Sequence, residues 1–110
     1  MDCIFCKIIA GEIPCSKVYE DEHVFAMRDI NPQAPVHVLI LPKKHLRNVL
    51  ECDAQTAAAV VKAVAEVARA EGVSVSGFRV VTNFGRDGAQ SVEHLHFHLL
   101  GGAALSERMT

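Results

Sequence analysis

Three histidines at strict two-residue spacing, His94, His96 and His98, constrain this chain more than any other feature of it. Residues i, i+2 and i+4 of a β-strand share one face, so an extended segment would place the three imidazoles in one row. A helix would scatter them around its axis, and the glycine pair that follows is typical of a strand end. The residues between and after the histidines are apolar and would be buried on the opposite face: Leu95, Phe97 and Leu99.

A row of imidazoles on one strand face favours a polar ligand, and two kinds fit. Two histidines at i and i+2, such as His94 and His96, can converge on one metal ion. The backbones of His94 and His98 would lie roughly 13 Å apart, too far for the third to join easily. A phosphate can instead be held by several imidazole N–H groups while one neutral imidazole attacks phosphorus. Chance clustering of surface histidines is the remaining interpretation, and three in register argue against it.

Length and charge narrow the class of protein. The 110 residues are expected to form one domain, 1–110, with its own core. A formal net charge of −2 gives no reason to expect a nucleic acid polymer or a membrane surface as partner. No apolar run approaches the ~20 residues of a membrane span, and no secretory signal is evident. The four cysteines are therefore expected to be reduced thiols or metal ligands, and the location cytoplasmic.

Hydrophobic periodicity and turn signals predict about five short strands. They are expected at residues 17–20, 24–29, 36–41 and 78–82, with the histidine segment as the fifth. A short helix is expected within 3–10 and a helical turn at 46–50. Short loops between strands indicate an antiparallel sheet.

A long helix is predicted at residues 54–71, with Asp53 as its N-cap and Gly72 after its end. Its apolar stripe is expected to contain these residues: Val60, Val61, Val64, Val67 and Ala68. This helix can cover one face of the sheet. The fold class is therefore predicted as α+β, with a single antiparallel sheet, one long helix and a short N-terminal helix.

The loop before the histidine segment carries polar side chains and glycines. Asn83, Gln90 and Ser91 provide hydrogen-bonding groups, while Gly85 and Gly88 let backbone amides approach an anion. Asn83 alone is more typical of a turn, but beside a phosphate-binding strand a ligand role is favoured.

Two residues elsewhere have two interpretations each. Asp29 either starts the turn at Asn31-Pro32 or accepts hydrogen bonds from two ribose hydroxyls. His37 lies in an apolar strand and is either a satisfied core histidine or, if its strand neighbours the histidine segment, part of the same site.

The segment His94-Leu95-His96-Phe97-His98-Leu99-Leu100 resembles the signature of the histidine triad (HIT) family. Three further stretches resemble that family's other signature segments, in its order and at its spacing: Asp29-Ile30-Asn31-Pro32-Gln33-Ala34-Pro35-Val36-His37, Leu41-Pro42-Lys43-Lys44-His45 and Gly88-Ala89-Gln90-Ser91-Val92. The resemblance extends from Cys3 to about Gly102. The Gly101-Gly102 pair is similar to the nucleotide-binding phosphoramidase branch, whereas the dinucleoside polyphosphate hydrolase branch tends to have Pro-Arg there.

The resemblance implies a hydrolase or transferase that cleaves purine nucleoside 5′-phosphoramidates or acyl nucleotidylates of the AMP type at the α-phosphate. His96 would be the nucleophile of a covalent nucleotidyl-histidine intermediate, and His98 would contact the phosphate and assist the leaving group. The residues that would contact the phosphate or orient the imidazoles are His37, Asn83, Gln90 and Ser91. Asp29 would bind the ribose. The walls of the purine pocket would be Ile4, Phe5, Ile8 and Ile30. The resemblance also implies a homodimer.

Cys3-x-x-Cys6 alone indicates half of a zinc site or a redox pair, and His45 and His94 could supply two further ligands. The resemblance implies the same four residues, because some bacterial HIT proteins bind a structural zinc with this pattern. No catalytic metal is expected. Cys15 and Cys52 have no partner at ligand spacing.

The chain departs from the family pattern at Ala89, where a second glycine is common, and lacks a tryptophan in its tail, which leaves the leaving-group preference open. A non-catalytic nucleotide-binding or zinc-stabilised interaction protein on the same fold is the alternative function. A metal hydrolase using His94 and His96 is a third interpretation.

Overall fold

The structure, a computed structural model, describes residues 3–108. It confirms the α+β class, with one five-stranded sheet, a short N-terminal helix and a long helix. The helices and strands follow in this order: α1 (Ile4–Ile9), β1 (Lys17–Glu20), β2 (Val24–Arg28), β3 (Val36–Pro42), α2 (Ala54–Ala70), β4 (Phe78–Thr82) and β5 (Phe97–Gly101).

The sheet is antiparallel throughout, with strand order β1-β2-β3-β5-β4. Strand β5 is thus inserted between β3 and β4, which places His98 in the sheet interior. Across β3 and β5, Leu39 pairs with His98 and His37 with Leu100. Because paired residues of antiparallel strands share a face, His37 and His98 lie on the same side of the sheet.

Helix α2 covers the opposite face of the sheet. It begins where the Asp53 carboxylate accepts a hydrogen bond from the Thr56 amide at 2.7 Å, and it ends one residue earlier than predicted. Its buried residues pack on alternate residues of the strands in one cluster, which contains Val60, Ala63, Val67, Ala68, Val24, Ala26, Val38, Ile40 and Leu99. The prediction was wrong for Val61, which is 68% exposed; Ala63, three residues after Val60, takes the core position instead.

Helix α1 packs on the face that carries His37 and His98. Its residues Phe5 and Ile8 are buried in a second cluster with Phe25, Met27, Leu39 and Leu41. Strands β2 and β3 are therefore buried on both faces, which explains why they read as nearly continuous apolar runs. Helix α1 covers only part of this second face, and the rest of the face beside α1 is left open.

Two predicted elements begin later than expected. The ladder of β5 starts at Phe97, so His94 and His96 precede it. Non-local hydrogen bonds hold that segment, from the Leu95 amide to the Leu46 carbonyl at 2.6 Å and from the Thr82 hydroxyl to the His96 carbonyl at 2.8 Å. The helical turn expected at 46–50 is a 3₁₀ turn at Val49–Glu51, because the Asn48 side chain accepts from the Leu50 amide and starts the turn there.

Candidate active site

A mostly apolar cavity of about 290 Å³ lies between α1, the ends of β2 and β5, and the segment before β5. Its apolar walls include Ile4, Phe5, Ile8, Ile13, Met27 and Leu39. Its polar lining includes Asp29, Ser91, His96 and His98. A concave apolar pocket with a few convergent polar groups is typical of a small-molecule site.

The His96 imidazole is buried, and its Nδ1 lies 2.7 Å from the carbonyl oxygen of His94. A carbonyl only accepts, so Nδ1 carries the proton and donates it. In the neutral ring the lone pair is then on Nε2. The Phe5 ring and the same imidazole pack nearly perpendicular to each other, with centroids 5.2 Å apart at 83°. His96 thus carries a fixed nitrogen nucleophile or base at the cavity.

The tautomer of His98 is set by a chain of two hydrogen bonds. The Gln33 backbone amide donates to Nδ1 of His37 at 3.0 Å, so the proton of His37 is on Nε2. That Nε2–H lies 2.9 Å from Nδ1 of His98 and donates to it. Nε2 of His98 therefore carries a proton. Its ring lies beside that of His96, with centroids 5.2 Å apart, so the cavity holds a lone pair and an N–H donor side by side.

Burial keeps the imidazoles of His37 and His98 neutral. It lowers the pKa of His37 below the ordinary value, with the Asp29 carboxylate opposing the shift. Burial likewise lowers the pKa of His98, and positive charge on the neighbouring His96 or His37 would lower it further. Near neutral pH both rings hold one proton each, which the tautomer assignment requires.

Asp29 lines the cavity and lies next to His37. One of its carboxylate oxygens accepts from the Asn31 amide at 2.8 Å, which is the turn that the sequence suggested. The other lies 3.4 Å from Nε2 of His37. Because Asp29 also lines the cavity, the turn interpretation and the ligand interpretation are compatible.

The predicted phosphate-contact residues are divided between the cavity and the loop. Ser91 lines the cavity. The Asn83 amide donates to the Gly88 carbonyl at 2.7 Å, and the Gln90 amide donates to the carbonyls of Arg47 at 2.7 Å and Val92 at 3.0 Å. These two side chains fix the shape of the loop in this structure, and their contact with phosphate stays a prediction.

The predicted purine-pocket residues all line the cavity, with different burial. Phe5 and Ile8 are buried, Ile4 is half-exposed, and Ile30 is fully exposed at the rim. Sequence reasoning missed several further lining residues, namely Ile13, Pro14, Cys15, Met27, Arg28, Leu39 and Val92. Met27 and Leu39 carried a signal, since they alternate with core residues of their strands and so face the other side.

A second group of side chains lies next to the cavity: Cys3, Cys6, His45 and His94, hereafter the ligand cluster. Its four ligand atoms all lie within 4.8 Å of one another. Nδ1 of His94 is 3.3 Å from Sγ of Cys3 and 3.6 Å from Sγ of Cys6, and Nδ1 of His45 is 3.3 Å from Sγ of Cys6. The four residues predicted as metal ligands are therefore brought together.

The chemistry of the ligand cluster fits a zinc ion. Nε2 of His94 donates to the Pro42 carbonyl at 2.8 Å, so its Nδ1 lone pair faces the two thiols. Burial lowers the pKa of His94, and it raises the pKa of the Cys6 thiol, as does neighbouring Cys3. Two thiolates and two neutral imidazoles form a preferred tetrahedral zinc set, closed to other ligands.

Two other metal interpretations disagree with the hydrogen bonds. Ligand atoms of Asp29, His37 and His98 also lie within 4.8 Å of one another, but Nε2 of His37 holds a proton because the Gln33 amide occupies Nδ1. His94 and His96 do not share an ion either: the nitrogens of His94 face the thiols and Pro42, and Nδ1 of His96 faces a carbonyl.

Comparison with known proteins agrees with this architecture. The family model of the HIT domain matches residues 10–105. The purine nucleoside phosphoramidase of Escherichia coli is 44% identical over 105 residues, covering 93% of this chain and 88% of that protein. An uncharacterized HIT-like protein of Synechococcus elongatus is 47% identical over 108 residues, covering 96% and 94%. A solved HIT family hydrolase from Clostridium thermocellum superposes with a TM-score of 0.95 at 47% identity, covering 99% of this chain and 97% of that one.

The fold, the three histidines in sequence and the adjoining cavity define a histidine triad protein. The chain belongs to the HIT family, whose solved members include hydrolases with the same fold. Across residues 3–108, no helix combines the length and the apolar character needed to cross a bilayer.

Proposed function

We propose that the protein is a nucleotidyl hydrolase that cleaves purine nucleoside 5′-phosphoramidates or acyl nucleotidylates of the AMP type through a covalent intermediate on His96. The observation that carries this proposal is the 2.7 Å contact between Nδ1 of His96 and the His94 carbonyl. It leaves the Nε2 lone pair for attack in a cavity that also presents an N–H donor and a carboxylate. The relationship to a protein named purine nucleoside phosphoramidase supports the substrate class.

In the first step, Nε2 of His96 attacks the α-phosphorus and the bond from phosphorus to the leaving nitrogen or acyl oxygen breaks. Negative charge on the phosphoryl oxygens is stabilised by Nε2–H of His98 and by Ser91, which line the same cavity. The leaving nitrogen takes a proton from water and an acyl oxygen leaves as a carboxylate, while His98 keeps its Nε2 proton and donates a hydrogen bond to the departing atom.

In the second step, water attacks the nucleotidyl-histidine. The attacking water loses a proton to solvent, and the phosphorus–nitrogen bond to His96 breaks, which returns its electron pair to Nε2 of His96 and releases a nucleoside monophosphate. His37 keeps its own proton in both steps, because the Gln33 amide holds Nδ1 as an acceptor. The cycle returns both imidazoles to their starting tautomers.

Substrate binding is assigned to the remaining walls. The apolar side chains of Ile4, Phe5 and Ile8 pack against the purine, with Ile30 at the rim. Asp29 accepts from the ribose hydroxyls through the carboxylate oxygen that lies 3.4 Å from His37. Asn83 and Gln90 shape the loop from which Ser91 reaches the phosphate.

The ligand cluster is proposed to hold a structural zinc ion, since all four donors converge and leave no open position. A homodimer is also proposed. Strands β1 and β4 are both sheet edges, and β4 exposes 39% of Phe78 and of Val80 on the face that α2 covers. Joining edges across a two-fold axis would protect such a strand. A cytoplasmic location stays a prediction.

Mass spectrometry after mixing the protein with adenosine 5′-phosphoramidate tests the proposal. Wild-type protein should gain one adenylyl group and release AMP, while His96→Asn should bind AMP and gain none. His23→Asn is the matched control, because that histidine is exposed in the β1–β2 turn, away from the cavity. Turnover by His96→Asn at near the wild-type rate would contradict the covalent mechanism. AMP binding without turnover by wild type would favour the alternative, a non-catalytic nucleotide-binding protein.

A further inference from the structure

We propose that the ligand cluster positions the His96 imidazole, so that metal occupancy controls the rate of nucleophilic attack more than the affinity for nucleotide. This inference rests on the proposed function for its rate measurement, but its structural measurement does not depend on turnover. It gives the metal-binding residues a role in catalysis beyond holding the fold together. Two separate contacts lead from ligand residues to His96.

The first contact passes through His94. Its ring belongs to the ligand cluster, while its backbone carbonyl accepts the Nδ1 proton of His96 at 2.7 Å. The same residue therefore both binds the metal and sets the tautomer of the nucleophile. This segment precedes the β5 ladder, and its backbone is held at the Leu95 amide and the His96 carbonyl, so the contacts of the His94 ring add to its orientation.

The second contact passes through Phe5. It lies between the two cysteine ligands on α1, and its ring meets the rings of both His94, at 5.9 Å, and His96, at 5.2 Å. Helix α1 has six residues, which is too short to be stable alone. Metal binding by Cys3 and Cys6 would fix this turn against the sheet and with it the wall that orients the His96 ring.

The contacts among the side chains of the ligand cluster are individually weak. Sulfur–nitrogen distances of 3.3 to 3.6 Å describe thiol–imidazole hydrogen bonds, which are weak because the thiol is a poor donor. Four metal–ligand bonds would instead tie α1, the segment after β3 and the segment before β5 into one unit. Asp29 lies outside that unit, whereas Ile4, Phe5 and Ile8 of the proposed purine wall lie on α1 within it, so we expect metal removal to weaken AMP binding only slightly and less than it slows attack.

The experiment compares zinc-loaded protein, chelator-treated protein and chelator-treated protein with zinc restored. Cys6→Ser is a ligand variant that leaves His94 and His96 intact, and Cys52→Ser is the matched thiol control, since Cys52 is outside the cluster. Three quantities are measured at one fixed pH. They are the single-turnover rate of adenylylation, the dissociation constant for AMP by calorimetry, and the imidazole ¹⁵N shifts of His96, which report its tautomer.

Metal removal and Cys6→Ser should each slow adenylylation by about 10- to 100-fold, as expected for a displaced reacting group, and change the AMP dissociation constant less than about 3-fold. The His96 ¹⁵N shifts should change from one Nδ1–H tautomer to a mixture, and zinc should restore chelator-treated wild type in full. Unchanged shifts on metal removal would overturn the inference, as would equal losses of rate and AMP affinity. If the loaded wild type showed no turnover, the proposed function would fail, and the ¹⁵N shifts would still decide this inference.

Discussion

Nε2 of His37 donates to Nδ1 of His98 across the β3–β5 boundary at 2.9 Å, and this bond fixes which nitrogen of His98 faces the cavity with a proton. The His37 proton is itself fixed by a backbone amide, that of Gln33 at 3.0 Å. A backbone amide, that of Gln33, therefore orients the N–H donor of His98 through two successive hydrogen bonds.

Substitution of His37 tests this orientation. His37→Leu removes the donor to His98, while His37→Gln is the matched variant because its side-chain amide can still donate. We expect His37→Leu to lower kcat about 100-fold for phosphoramidates, whose amine leaving group needs a proton, and less for acyl adenylates. Steady-state kinetics on both substrates checks this. Equal kcat values for the Leu and Gln variants would show that the hydrogen bond does not orient the N–H donor of His98.

The pKa of His37 should lie below the ordinary value of about 6.5, because burial disfavours the imidazolium. Asp29→Asn should lower it further, since the carboxylate opposes the shift. The unfolded chain then binds more protons, so this residue's contribution to stability is complete above about pH 6.5 and is lost as the pH falls below it. An NMR titration of the imidazole measures both variants; an upward shift in Asp29→Asn would refute the assignment.

Purified protein should contain about one zinc per chain. Cys3→Ser should lose it and unfold about 5 to 10 °C lower, because metal binding contributes to folding. Cys52→Ser should keep both its zinc and its melting temperature. Elemental analysis combined with thermal unfolding under reducing conditions is the measurement, and metal-free wild-type protein would rule the site out.

Substitutions at two adjacent positions of the loop before the histidine segment, Gly88 and Ala89, should change the free energy of unfolding in opposite directions. Ala89 has φ 58°, a left-handed conformation that strains an alanine, so Ala89→Gly should raise the free energy of unfolding by about 0.5 to 1 kcal/mol. Gly88→Ala should lower it by about 1 to 3 kcal/mol, because the new Cβ would lie within 3 Å of the Phe84 backbone. Urea unfolding compares the two; a stabilised Gly88→Ala would contradict the loop geometry.

Light scattering at micromolar concentration should give a homodimer rather than the 12.0 kDa monomer. Val80→Glu, on the edge strand β4, should shift the protein toward monomer because it places charge in the proposed interface. Leu50→Glu is the control, as Leu50 is 76% exposed on the 3₁₀ turn. A monomer mass for wild type across the concentration range would exclude the dimer.

Sequence reasoning reached the side chains of the site and missed the main-chain groups that orient them. The ligand cluster was predicted in full, and His37 was tied to the site on the condition that its strand neighbours β5, which it does. The groups that set the tautomers are backbone atoms of Gln33 and His94. A backbone N–H or carbonyl is present at nearly every position, so residue identity carries no signal for it.

The late start of β5 has a similar origin. Alternation predicted one strand through the histidines, because period two describes extended chain whether or not a ladder forms. The ladder stops at Phe97 since the preceding residues bond to partners far away in sequence, Leu46 and Thr82. Val61 was wrongly placed in the core for a different reason. The apolar character of its residues does not show which direction on a helix points into the core, and the small Ala63 takes the buried position.

The two faces of the sheet offer protein engineers separate handles. Every second residue of β3 meets α2, as Val38 and Ile40 do, while His37 and Leu39 meet the cavity side. Repacking the α2 face with larger or better-fitting side chains can therefore raise heat tolerance without changing a single atom that a nucleotide would touch. Residues on the opposite face can be substituted to accept new substrates without changing the contacts between α2 and the sheet, which makes this small chain a practical scaffold for redesign.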